Sequence, residues 1–204
     1  MKILNLYAGI GGNRRLWGEE HEITSVEINP EIAEVYHKFF PQDKIIVDDA
    51  REYLLKHFRE FDFIWSSPPC QSHSRLNNFS NRQGTKYPDM SLYEQVIFLD
   101  RFFKGFYVVE NVIPYYKPLM PFQKIGRHIY FSNLDLSSVK TKNDVRIRPV
   151  KIKDFETFYG FDLSGITFKT VDKRQVLKNC VNPFTAKEIL DIAIENFKKL
   201  KENV

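Results

Sequence analysis

The stretch Phe61-Asp-Phe-Ile-Trp-Ser-Ser-Pro-Pro-Cys-Gln71 decides the architecture. Its apolar, aromatic-rich run reads as a buried strand, stopped by two prolines immediately before a cysteine. Proline fixes its own φ and cannot donate to a sheet ladder, so Cys70 should sit on a stiff loop just past the strand. In open α/β sheets that is where ligands bind. Outward from this stretch the chain alternates. Strands are expected near 2–7, 22–27, 44–47, 61–66 and 106–110, and helices near 12–18, 30–39, 50–58 and 90–103. Asn29-Pro30 supplies an N-cap and first-turn signal for the second of these helices. A sixth strand is expected near 128–133 and a short helix at 153–159. Ile189, Ile192, Ala193, Asn196, Phe197 and Leu200 predict an amphipathic helix over 184–201. The expectation is a Rossmann-like α/β fold, a mostly parallel sheet with helices on both faces.

Two further segments carry chemistry, the first with support from the acids that end the next two strands. Leu4-Asn-Leu-Tyr-Ala-Gly-Ile-Gly-Gly-Asn13 runs from a strand into Gly9, Gly11 and Gly12, which permit a tight turn and close approach of a ligand to the backbone. The loop lacks the full dinucleotide spacing, and no Lys-Ser/Thr follows it. Glu27 ends the next strand, where a carboxylate can accept hydrogen bonds from two ribose hydroxyls. Asp48 and Asp49 end the third, within reach of an adenine amino group; either acid could equally be an ordinary strand end. Phe106-Tyr-Val-Val-Glu-Asn-Val112 places Glu110 after four apolar residues, where burial is costly unless the carboxyl pairs or is protonated. A protonated Glu110 beside a thiol is a candidate acid.

Gly9-Ile-Gly-Gly12, Pro69-Cys70-Gln71 and Glu110-Asn111-Val112, in this order on successive strands, resemble the cytosine-5 DNA methyltransferases from residue 1 to about 195. The resemblance implies an S-adenosylmethionine-dependent methyltransferase fold, with Tyr7, Ala8, Gly9, Gly11, Gly12, Glu27, Ile28, Asp49, Ala50 and Pro68 at the cofactor. By the same resemblance Cys70 is the nucleophile and Glu110 holds the cytosine ring at N3. Leu177-Lys-Asn-Cys-Val-Asn-Pro183 is similar to the family's last motif, adding Asn179 and Val181 to the cofactor site, although Lys178 stands where glycine is usual. Arg127 is the first candidate for ordering the catalytic end and His128 the second. The family's Gln-x-Arg-x-Arg pattern is not reproduced around them.

The chemistry accounts for these residue types. A Cys70 thiolate adding to C6 makes C5 electron-rich, and Glu110 at N3 makes C6 electrophilic. No residue is singled out as the base for the C5 proton, and no metal is implied. With 204 residues and 43% apolar content the chain is expected to form one catalytic domain over 1–204. Two cysteines argue for a reducing compartment, the cytoplasm, rather than a disulfide scaffold. No apolar run reaches ~18–20 residues, so neither a membrane span nor a signal peptide is expected.

The net charge of +4 is mild, but Lys140, Lys142, Arg146, Arg148, Lys151 and Lys153 cluster with only Asp144 among them, which suits phosphate contacts. Gln71, Ser72, Arg75, Arg82, Lys86, His128, Arg146 and Arg148 are the expected DNA contacts. The Ser72 to Tyr87 stretch corresponds to the family's mobile loop, with Gly84 a candidate hinge. Tyr115, Tyr116, Phe122 and Phe155 are either stacking platforms or core. Only 134–175 is available for target recognition, which implies short or relaxed sequence preference, or a homodimer or accessory partner. The same chemistry on RNA or a free nucleotide, and a non-catalytic nucleic-acid-binding relative, stay open as alternatives.

Overall fold

The computed structural model describes residues 1–75, 87–140 and 151–202. Seven strands form one sheet: β1 (Lys2–Leu6), β2 (Glu22–Val26), β3 (Lys44–Ile46), β4 (Phe63–Ser66), β5 (Phe106–Val112), β6 (Gln123–Ile125) and β7 (His128–Ser132). Their order is β3-β2-β1-β4-β5-β7-β6. The first five are parallel, and β7 and β6 complete the edge antiparallel. The helices are α1 (Pro30–Phe39), α2 (Ala50–His57), α3 (Ser91–Phe102), α4 (Ile152–Tyr159), α5 (Lys173–Lys178) and α6 (Pro183–Glu202). This is the mostly parallel, Rossmann-like sheet that the alternation predicts.

Alternate side chains of the strands feed opposite cores, as a period of two requires. Leu4 and Leu6 of β1 and Tyr107 and Val109 of β5 pack with Leu54 of α2 and with Val96 and Leu99 of α3. Ile3, Trp65 and Val108 face the other way, onto Ala186, Ile189, Leu190 and Ala193 of α6. A third core joins α1 to α4 and α5 through Tyr36, Phe40, Phe155, Tyr159, Leu163 and Leu177. Thus 151–175, part of the stretch expected to recognise a target, builds core beside α1. Phe155, one of the candidate stacking aromatics, is 6% exposed and belongs to that core.

Four elements differ from expectation. The helix expected near 12–18 is a single 3-10 turn, Asn13–Leu16, because buried polar side chains hold this segment. Strand β5 runs on through Val112, since pairing with β7 extends it past Glu110. Strand β6 and helix α5 were not expected at all.

The 3-10 turn is tied down beneath the sheet. Arg14 Nε lies 2.7 Å and Nη2 3.1 Å from the two Asp43 carboxylate oxygens, with side chains 3% and 1% exposed. Tyr36 Oη donates to Asp43 (2.6 Å) and accepts from Ser25 Oγ (2.7 Å), while Asn13 Nδ2 donates to Asn5 on β1 (2.7 Å). Removing one partner of a buried pair leaves an uncompensated charge. Asp43→Ala is therefore expected to lower stability by about 3–5 kcal/mol, read from the urea unfolding midpoint.

Candidate active site

The carboxyl ends of β1, β2, β4 and β5 open into one cleft of about 280 Å³. Its walls include Tyr7, Gly9, Glu27, Ile28, Pro68, Cys70, Gln71, Glu110, His128, Asn179 and Val181. Residues expected to act on a methyl donor and residues expected to act on a pyrimidine therefore share a single cavity. A smaller recess beside it is lined by Ala8 and Gly12, again with Tyr7, Asn179 and Val181.

The thiol end is built by the proline stop. Ser67 N–H still donates to Leu6 O (3.3 Å), after which the chain leaves the sheet at Pro68 and Pro69. Asn111 Nδ2 donates to Pro68 O at 3.0 Å from a side chain 1% exposed, so β5 itself holds the proline loop. Cys70 O accepts from the N–H groups of His73 and Ser74, both at 3.0 Å, which turns the chain back immediately. That turn is fastened to the segment after β5: Ser74 bridges Pro114, Arg75 Nε donates to Pro114 O (3.2 Å), and His73 Nδ1 is 2.5 Å from Tyr116 Oη. Ser72 Oγ accepts from Asp89 N–H (3.0 Å). Ser72 and Arg75, expected at DNA, are thus occupied in anchoring the loop, and neither lines the cleft.

Glu110 is 8% exposed and lies on the same face of the sheet as Val112, His128 and Tyr130, its neighbours in the β5–β7 ladder. His128 Nε2 is 3.5 Å from Glu110 Oε1. Burial, and then the Glu110 carboxylate, push the Cys70 thiol above its ordinary value. Cys180, pushed up to about 12 by burial alone, lies near Val176 O (Sγ to O 3.6 Å).

At the other end Gly9 has φ +56° with no atom within 4 Å of where a Cβ would stand, so its backbone faces open space. Glu27 fixes this loop: Oε2 accepts from Gly9 N–H (3.0 Å) and Oε1 from Asn29 N–H (2.9 Å). Burial raises the Glu27 carboxyl against these two bonds. Ile28, 65% exposed, offers an uncovered apolar surface beside it. Tyr7 takes a left-handed φ of +55°, a costly conformation for a side-chain-bearing residue that its surroundings must impose. Gln95 of α3 holds the Tyr7 ring, donating from Nε2 to Tyr7 Oη while Ser66 Oγ donates to its Oε1 (2.8 Å). Burial pushes the Tyr7 phenol up to about 12, which keeps it a neutral partner.

Several expected residues stand elsewhere. Gly11 lies against α1, where a Cβ would come within 2.3 Å of Phe40. Asp49 is exposed and caps α2, its Oδ1 accepting from Glu52 N–H (2.9 Å), and Ala50 is buried in the first core. Arg127 is exposed on the turn between β6 and β7 and does not line the cleft. The second candidate there, His128, is the one that reaches it. Arg82, Lys86, Gly84, Lys142, Arg146 and Arg148 lie outside the described residues. Gln95 and His73 were missed; a lone glutamine within the apolar stripe Leu92, Tyr93, Val96 and Leu99 was the available signal for Gln95. Among the described residues no helix is long and apolar enough to cross a membrane.

A family model described as C-5 cytosine-specific DNA methylase matches residues 1–117. The human tRNA (cytosine(38)-C(5))-methyltransferase is 25% identical over 162 residues, covering 76% of this chain and 36% of that protein. The type II methyltransferase M1.HphI of Haemophilus parahaemolyticus is 27% identical over 118 residues, covering 53% and 32%. The chain thus spans about a third of the length of these relatives. Among solved structures, a Spodoptera frugiperda DNMT2 variant superposes with a TM-score of 0.59 at 16% identity, covering 95% of this chain and 99% of that one. Entamoeba histolytica EhMeth gives 0.59 at 12%, covering 97% and 98%.

The influence of the Glu110 carboxylate on the Cys70 thiol has a measurable sign. Replacing the Glu110 charge removes one of the two causes that hold the Cys70 thiol up. Glu110→Gln is expected to shift the pH profile of Cys70 alkylation by iodoacetamide to lower pH. At pH 8 the gain in rate is several-fold, read by mass spectrometry, while Cys180 reacts far more slowly in both proteins.

Proposed function

Because the chain belongs to the C-5 cytosine-specific DNA methylase family, we propose that it methylates C5 of a cytosine in DNA, on a base turned out of its stack into the cleft. The observation that carries this reading is the single cavity shared by Cys70, Glu110, Glu27 and the Gly9 backbone. Family membership implies S-adenosylmethionine, which when bound supplies an electrophilic methyl on a sulfonium. The residues present suit it. Glu27 retains lone pairs toward the cleft for ribose hydroxyls, Ile28 offers an apolar face for the adenine, and the open side of Gly9 allows close approach. Asn179 and Val181 close the opposite wall.

On the base, the Sγ–C6 bond forms from the Cys70 thiolate while Glu110 provides a proton at N3, leaving the C5 carbon electron-rich. After C5 has gained its methyl, a water acting as base takes the C5 proton, the Sγ–C6 bond breaks with sulfur leaving as thiolate, and the 5,6 double bond returns. The protein's part is placement: Asn111 and the prolines hold the sulfur, and β5 holds the acid.

A second reading keeps this chemistry and changes the polymer to tRNA, favoured by the similarity to tRNA (cytosine(38)-C(5))-methyltransferases. Either substrate must bring its cytosine out of the stack, since the thiol lies at the cleft and not on a convex surface.

Transfer of labelled methyl to mixed-sequence duplex DNA and to tRNA separates the two readings. Label in DNA is expected; label confined to tRNA selects the second, and label in neither removes both. Cys70→Ser abolishes transfer, and DNA carrying 5-fluorocytosine traps a covalent adduct on Cys70 that the variant cannot form. Gly12→Ala tests the cofactor end without touching the thiol: its Cβ would come within 2.7 Å of Cys180 Cβ and 2.9 Å of Cys180 Cα. The 180–181 segment must shift, and S-adenosylmethionine affinity measured by calorimetry is expected to fall about tenfold or more, the ~1–3 kcal/mol of overpacking.

A further inference from the structure

Resting on the reading above, we propose that His128 acts through Glu110 as a proton-holding and positioning residue, so that the pair carries the one proton delivered to cytosine N3. His128 stands at the start of β7, paired with Val112, and therefore on the same sheet face as Glu110 and diagonal to it. Its Nε2 is 3.5 Å from Glu110 Oε1, with side chains 25% and 10% exposed. That separation is long for a hydrogen bond, and contacts of this kind in ligand-free sites tighten when substrate is bound.

The neighbourhood singles out this pair. On β6 the residue opposite His128 is Ile125, which is apolar and buried, while Lys124 is exposed and pairs with Ile129. Arg127 precedes His128 in the turn and is exposed. Across the cleft stand Cys70 on the loop after β4 and Lys178 on α5. Glu110 is the carboxylate that His128 contacts.

An imidazole differs from a fixed cation in one respect that matters here. It can give up its proton near neutral pH, whereas a guanidinium cannot. As Sγ adds to C6, electron density arrives at N3. The shared proton passes from His128 to Glu110 and on to the base: Nε2–H breaks as Oε–H forms, and Oε–H breaks as N3–H forms. When Cys70 leaves, the same proton returns, so no oxidant, reductant or further reactant is required. The net result of the addition step is that thiolate charge entering the base is matched by a proton from the pair. His128 never touches the ring in this scheme.

The test is the pH dependence of single-turnover methyl transfer by the unaltered protein, His128→Gln and His128→Arg, on whichever of duplex DNA or tRNA the unaltered protein labels. In the unaltered protein the rate rises as Cys70 ionises and levels off where the pair loses its proton. In His128→Gln the levelling disappears, and kcat at neutral pH falls by roughly 10²-fold with KM little changed. His128→Arg keeps a cation without a transferable proton and is expected to match His128→Gln. Profiles of the same shape in all three proteins overturn the proposal, as does full rescue of kcat by arginine, because a fixed charge would then suffice. An unaltered protein that labels neither nucleic acid overturns the parent reading and this one with it, which distinguishes the two failures.

Discussion

The hydrogen bond from Asn111 Nδ2 to Pro68 O is the constraint on which the site depends. It is buried, and it joins the strand that carries the acid to the loop that carries the thiol. Successive side chains of β5 point to opposite faces, so Asn111 holds the proline loop while Glu110, one residue earlier, turns toward His128. A one-residue slip of β5 would exchange these two roles and leave an acid against the first core. Pairing with β7 on one side and β4 on the other prevents that slip. The antiparallel edge therefore sets the register of the strand that carries Glu110, and it also delivers His128.

Much of this was legible in the sequence because the informative residues break local patterns. Prolines after an apolar run end a strand, glycines after one make a turn, and an acid inside one demands a partner. Those violations marked Cys70, Gly9, Glu27 and Glu110, and all four line the cleft. Where two physical readings compete, the pattern alone does not decide between them. Asp49 follows a strand but also precedes a helix, and a carboxylate there satisfies helix N–H groups as an N-cap. Gly11 and Gly12 share a motif with Gly9, yet Gly11 is small so that Phe40 can pack, and Gly12 so that Cys180 can. Strand β6 has three residues and α5 six, too few for either period to show. Gln95 acts from α3, far along the chain from Tyr7, and only the fold brings them together.

The material between β7 and α5, as far as it is described, supports α1. Its described part at 151–175 gives Phe155, Tyr159 and Leu163 to the core that backs α1. Glu31, in the first turn of α1, accepts from the N–H groups of Lys169 (2.9 Å) and Thr170 (3.1 Å) and straps this segment down. Such packing supports the helix beside Gly9 and Glu27, so the segment serves that end of the cleft.

The two ends of the cleft also solve opposite electrostatic problems. Glu27 is buried yet offset by two backbone N–H groups, which suits an acceptor that stays in place. At the other end burial and the Glu110 carboxylate both disfavour the Cys70 thiolate. In the proposed reaction a cytosine entering the cleft engages Glu110 at N3 and draws its charge into a proton-sharing contact. That removes one of the two influences opposing ionisation of Cys70. By linkage, the amount by which a bound base eases ionisation of Cys70 equals the amount by which the thiolate tightens binding of the base. The carboxylate that would otherwise quench the nucleophile thus becomes the group that ties its activation to the presence of a base.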